Sequence, residues 1–106
     1  MVPDKTFAIR NGRIVQLNAT EIVSGDLLLL RLGDKIAADA RVIYSSELKV
    51  DNSMLTGESE AVERDNRIQV GVSVFESRNV VFNGTTVASG EGIAIVLRTG
   101  KQTEMG

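Results

Sequence analysis

The chain has no cysteine and no histidine. Without thiols there is no disulfide framework and no thiolate chemistry, and the zinc patterns built from Cys and His are excluded with them. A Ser-His-Asp triad is excluded for want of its base. Tryptophan is also absent, and the aromatic set is only Phe7, Tyr44, Phe75 and Phe82. That is too sparse for base-stacking or sugar-stacking platforms. Neither sign of charge dominates: 12 Lys and Arg against 14 Asp and Glu leave a net charge of −2, so no basic field exists to hold a nucleic acid. The longest apolar run, Ile93 to Leu97, is far below the roughly 18 to 20 residues of a membrane span. The start, Met1-Val2-Pro3-Asp4-Lys5, lacks the apolar stretch of a signal peptide.

What is present suits a single globular domain. A length of 106 residues allows one hydrophobic core, and 42% hydrophobic with 25% charged residues excludes disordered or fibrous composition. The available chemistry is that of carboxylates, hydroxyls, lysines and backbone groups. Val, Ile and Thr supply roughly a quarter of the chain, with ten glycines spread among them and one proline. Such β-branched runs, cut by turn signals, predict a mainly β domain.

The first unit is a hairpin over residues 6–18, in which Asn11-Gly12 supplies the two positive-φ positions of a type I′ turn. A brief helical turn over 18–23 follows, and Ser24-Gly25-Asp26 ends it. Leu27 to Leu32 reads as a strand buried on both faces, and Ala40 to Ser45 alternates like a half-exposed one. Leu48 to Asp51 is a further short strand. Residues 52–66 are small, polar and acidic, and read as loop. Alternation resumes on Ile68, Val70, Val72 and Val74. Strands at 80–82, 85–88 and 93–97 complete the set, the last two joined by a turn at Gly90-Glu91-Gly92. Strands every eight to twelve residues without a long helix suggest a distorted jelly-roll-like sandwich or barrel, with at most short helical turns.

Reactive groups concentrate in Asp51-Asn52-Ser53-Met54-Leu55-Thr56-Gly57-Glu58-Ser59-Glu60. By composition this is a polar surface turn. An EF-hand fails on spacing, since the glycine is displaced and no glutamate stands at the loop's last position. Glu58 and Glu60 form a conceivable acid/base pair for a small hydrolase, but a glycosidase would lack its aromatic platforms. Asp26, Asp34 and Asp39 sit at Gly-Asp or Ala-Asp steps and read as caps and Asx-turns rather than ligands. Ala88-Ser89-Gly90-Glu91-Gly92 has neither P-loop nor Rossmann spacing.

The loop resembles the signature of the actuator domain of P-type ATPases, a Thr-Gly-Glu-Ser sequence behind a Val-Asp-x-Ser-x-Leu lead, here Val50 to Ser59. Gly25-Asp26-Leu27 and Gly33-Asp34-Lys35-Ile36-Ala37-Ala38-Asp39-Ala40-Arg41 are similar to two further family segments, as are Asn83-Gly84-Thr85, Gly92 and the end from Thr99 to Gly106. The resemblance spans residues 8–106, and its tail is closest to calcium and sodium/potassium pumps. Ala37 and Ala61 stand where the family usually has proline, and Ser24 where it has valine. These departures touch turn rigidity and not reactive groups.

The resemblance implies a single domain, 1–106, excised from a longer membrane protein and lying on the cytoplasmic face. Its loop would promote hydrolysis of an aspartyl-phosphate held by a separate phosphorylation domain, and its rotation would move the flanking transmembrane helices. Glu58 would position the attacking water and accept its proton. Gly57 would permit close backbone approach, and Thr56 and Ser59 would hold loop and water by hydrogen bonds. No cofactor or metal would be bound by this domain. ATP and magnesium would sit in other domains of the pump, its phosphorylation and nucleotide-binding domains being the partners, with no nucleic acid. The competing expectation is a free-standing β-sandwich interaction module in which the Glu58 loop is only a solvated turn. The isolated chain is expected to be inactive on its own in either case.

Overall fold

Hairpin chemistry opens the fold. A computed structural model describes residues 5–53, 57, 61–72 and 77–99. Strands β1 (Lys5–Arg10) and β2 (Arg13–Asn18) flank Asn11 and Gly12, whose φ angles of 52° and 73° are those a type I′ turn needs. One 3₁₀ turn, Ala19–Glu21, follows, with Glu21 Oε1 accepting the Asn18 N–H at 2.9 Å. The remaining strands are β3 (Leu27–Arg31), β4 (Asp39–Asp51), β5 (Ala61–Glu63), β6 (Val80–Val81) and β7 (Thr86–Arg98). Among the described residues every pairing is antiparallel, in the order β2-β1-β3-β7-β4-β5, with β6 alongside the start of β4. The mainly β fold with at most short helical turns is borne out.

Curvature comes from β4 and β7, each 13 residues long. Their register shifts at 39/40, 42/44, 46/49 and 49/50, and each irregularity bends and twists the pair. The sheet therefore wraps around one core. Leu17 of β2 and Val62 of β5, from opposite ends of the strand order, pack in the same cluster as Ala8, Leu28, Leu30, Val42, Leu48, Val50 and Val96. Close crossing at the bulge requires glycine on β7. A Cβ on Gly90 would overlap the Ser46 and Glu47 carbonyls, and one on Gly92 would come within 2.8 Å of Tyr44 O.

Several local expectations are corrected. The strands expected at 40–45 and 48–51 are one strand, because β4 absorbs its irregularities without leaving the ladder. The turn expected at Gly90-Glu91-Gly92 lies inside β7, where those glycines serve close packing and not chain reversal. Leu27 to Leu32 is not buried on both faces. Leu28 and Leu30 point inward, Leu27 and Leu29 are half-buried, and Leu32 is exposed. A short strand, β5, lies within the stretch read as loop. Ile68 and Val70 carry no strand and are 81% and 95% exposed. Val72 likewise carries no strand and is exposed, and Val74 lies outside the described residues.

Candidate functional site

The loop is held where three strands meet. Asp51, the last residue of β4, stands opposite Ala61 at the start of β5 and Thr86 at the start of β7. Residues 52–60 are thus an excursion whose two ends are pinned by a ladder pair. At its entry, Asp51 Oδ1 accepts the Ser53 N–H at 2.9 Å, an Asx-turn that a carboxylate one atom from Cβ is well placed to make. That backbone donor, with the Ser53 hydroxyl second, holds the Asp51 carboxyl below the ordinary aspartate range. Ser53 O in turn accepts the Gly57 N–H at 2.9 Å. Gly57 is exposed with φ +77°, and a Cβ built on it would meet nothing within 4 Å. Its glycine is therefore required by the backbone conformation and not by crowding within the domain. Thr56, Glu58 and Ser59, named with Gly57 as site residues, lie outside the described residues, as does Glu60.

Two of the other segments singled out in the sequence, at Gly33-Asp34 and Asn83-Gly84-Thr85, meet beside the Asp51–Thr86 pair. Thr86, opposite Asp51, also forms a bridge with Lys35. Around it the chain at 33–36 zips onto 84–87: Gly33 N–H to Val87 O at 2.9 Å, Val87 N–H to Asp34 O at 2.9 Å, Ile36 N–H to Thr85 O at 2.8 Å and Gly84 N–H to Ile36 O at 2.8 Å. Asp26 and Asp34 act as expected of caps, accepting the Val23 and Arg31 N–H groups at 3.0 Å each. Asp26 also receives Arg10 through two bonds, 2.7 and 3.2 Å, and Arg10 is the main cause of its lowered pKa. Asp39 does more than cap a turn. It is 1% exposed and ties three elements, with Oδ1 accepting the Asn83 N–H at 2.9 Å and Oδ2 accepting Arg98 Nη2 at 3.1 Å.

A polar cavity of about 490 Å³, missed in the sequence, opens two residues back along β4, between Lys49, Glu63, Arg64, Asp65, Arg67 and Arg78. Arg64 is 5% exposed; its Nε donates to Val80 O at 3.0 Å and its Nη1 to Glu63 O at 2.8 Å. Burial, and then the nearby Arg78 charge, push the Arg64 pKa down. Arg78 Nη2 lies 2.8 Å from Asp65 Oδ2 and 3.0 Å from Glu63 Oε2. The Arg78 hydrogen bond lowers the Asp65 pKa, and Asp65 in turn raises that of Arg78. No periodicity marks these residues, because β4, β5 and the 77–79 segment meet only in the fold. Among the described residues no cluster of three or more carboxylates could hold a metal ion, and no helix is long and apolar enough to cross a membrane.

Comparison with known proteins decides the family. The model of the P-type ATPase actuator domain matches residues 1–106. The chain belongs to that family. The actuator domain is 38% identical over 107 residues to "Calcium-transporting ATPase 1" of Schizosaccharomyces pombe, covering 100% of this chain and 12% of that protein. It is 43% identical over 106 residues to "Sodium/potassium-transporting ATPase subunit alpha-2" of Rattus norvegicus, covering 100% of this chain and 10% of that protein. It thus spans only about a tenth of the curated relatives it matches. Among solved structures, a zinc-transporting PIB-type ATPase in the E2.Pi state superposes with a TM-score of 0.75 at 23% identity, over 97% of this chain and 15% of that one. At that identity the likeness is one of fold.

Proposed function

We propose that this actuator domain works within an ATP-driven cation pump, where its Thr56-Gly57-Glu58-Ser59 loop promotes hydrolysis of an aspartyl-phosphate on a separate phosphorylation domain. The supporting observation is the full-length family match, joined to a loop whose entry is tied to the β4 terminus and whose glycine is exposed and left-handed. Water oxygen attacks phosphorus as the bond between phosphorus and the aspartyl oxygen breaks. The water proton passes to the Glu58 carboxylate, leaving inorganic phosphate and a free aspartate. A loose phosphoryl-transfer transition state asks for in-line placement more than for a strong base, so an ordinary glutamate suffices. Thr56 and Ser59 supply hydrogen bonds to loop and water, and Gly57 presents backbone without a side chain in the way. ATP and magnesium belong to other domains of the pump. The domain sits on the cytoplasmic face, between transmembrane helices that its rotation moves.

The test is the coding sequence and the product of the whole gene. Apolar stretches of about 20 residues on both flanks, an Asp-Lys-Thr-Gly segment downstream and acid-stable labelling of the full-length protein by ATP are expected. A full-length protein with neither those segments nor a phosphoenzyme would leave the β-sandwich interaction module as the reading.

A further inference from the structure

We propose that Asn11-Gly12 is a site of covalent self-modification, where the Asn11 side-chain amide is lost as ammonia through a five-membered imide and the chain is left partly β-linked. Asn-Gly steps occur twice, at 11–12 and 83–84, while the other four asparagines precede Ala19, Ser53, Arg67 and Val80. Glycine matters because the attacking atom is the next residue's backbone nitrogen, and without a Cβ nothing shields its approach. By sequence the two Asn-Gly steps are equivalent. The fold makes them unequal.

Ring closure joins Gly12 N to Asn11 Cγ and breaks the bond from Cγ to Nδ2. The Gly12 amide proton leaves to solvent, and the departing nitrogen takes up a proton to become ammonia. Water then opens the imide at one of its two carbonyls. Attack at Cγ yields aspartate; attack at the main-chain carbonyl yields a β-aspartyl link with a free α-carboxylate. One water enters, one ammonia leaves, and nothing is oxidised or reduced.

Closure needs a released Gly nitrogen and rotation about the Asn Cα–C bond. At the second step both are held. Gly84 N–H donates to Ile36 O at 2.8 Å, Asn83 N–H donates to Asp39 Oδ1 at 2.9 Å, and the flanking Phe82 and Thr85 are fully buried. Rotation there requires pulling 84–87 off 33–36, a sub-global opening. Asn11 and Gly12 are instead exposed at a hairpin tip, where the nearest ladder pair is Arg10 with Arg13 and β2 ends the strand order. Fraying that tip is among the least costly openings a sheet has. The β-linked product puts an extra main-chain carbon into a two-residue turn. Either product adds a carboxylate next to Arg10, the residue that holds Asp26.

The experiment incubates the full-length protein in membranes at neutral and mildly alkaline pH, beside a sample unfolded in urea, and follows both Asn-Gly peptides by mass spectrometry. In the folded protein Asn11 should convert about tenfold or more faster than Asn83, faster still at the higher pH, with aspartyl and β-aspartyl peptides both formed. In urea the two sites should convert at similar rates. Equal rates in the folded protein, or an intact Asn11 where Asn83 has converted, overturns the proposal. So does a product that is aspartate alone, which would mean direct hydrolysis without the imide. A preference for Asn11 that persists undiminished in urea assigns the selectivity to sequence and overturns the role given to the fold.

Discussion

Replacing Gly90 by alanine isolates the packing that lets β7 cross β4. Gly90 has φ +73°, and its missing Cβ would overlap the backbone carbonyls of Ser46 and Glu47. Glu47 is itself left-handed, φ +51°, on the bulged stretch of β4, so it has little freedom to withdraw. An L side chain in the left-handed region costs about 1–2 kcal/mol. Forcing apart a packed backbone adds about 1–3 kcal/mol, and the stiffer unfolded chain returns about 0.4–1 kcal/mol. The net loss is about 3 kcal/mol. Gly33 is the control: its φ is +87° but a Cβ there meets nothing within 4 Å, so Gly33→Ala should lose only about 1 kcal/mol. At about 4–8 °C per kcal/mol for a domain of this size, thermal denaturation followed by circular dichroism should show Gly90→Ala melting some 12–24 °C lower and Gly33→Ala about 4–8 °C lower. Equal shifts in the two variants would refute the crowding at the bulge and leave only the φ penalty common to both.

Acid and denaturant experiments probe the polar ties. The Arg10 hydrogen bonds hold the Asp26 pKa below its unfolded value of about 3.9, so the stability this group contributes is present above that pH and lost as pH falls through its folded value. Urea midpoints of the unmodified chain and Asp26→Asn should therefore differ most at pH 6 and converge as pH falls below the ordinary aspartate range; a gap that widens on acidification contradicts the pairing. Arg64→Ala strips donors from Val80 O and Glu63 O and should cost about 2–4 kcal/mol by urea unfolding. Arg64→Met restores volume without donors and should fall between; an Arg64→Ala midpoint matching the unmodified chain contradicts the stapling of β5 to β6.

What the sequence made legible follows from the range of its signals. Asn11-Gly12 dictates its own turn, because two adjacent positive-φ residues are a local demand met by local chemistry. The Leu27–Arg31 strand was equally visible, but which leucines face inward depends on neighbouring strands, and Leu32 proved exposed. The bulges that fuse 39–51 into one strand leave no local trace, so a change of phase at Ser46-Glu47 looked like a strand end. Gly90 and Gly92 looked like a turn because a glycine needed for close approach and one needed for reversal are spelled alike. At the candidate site, the order of segments around Asp34, Asp51 and Asn83 pointed to the family, and the fold shows why they travel together: all meet around Thr86 or Asp39. Arg64 and Arg78 carried no such signal, since their partners lie on separate segments.

The most direct measurement is the decay of the phosphoenzyme in full-length Glu58→Gln, chased with unlabelled ATP after labelling. The amide cannot accept the water proton, so formation near the normal level with decay slowed about a hundredfold or more is expected. Decay at the unmodified rate would contradict the role given to Glu58, and with it the purpose assigned to the loop between β4 and β5.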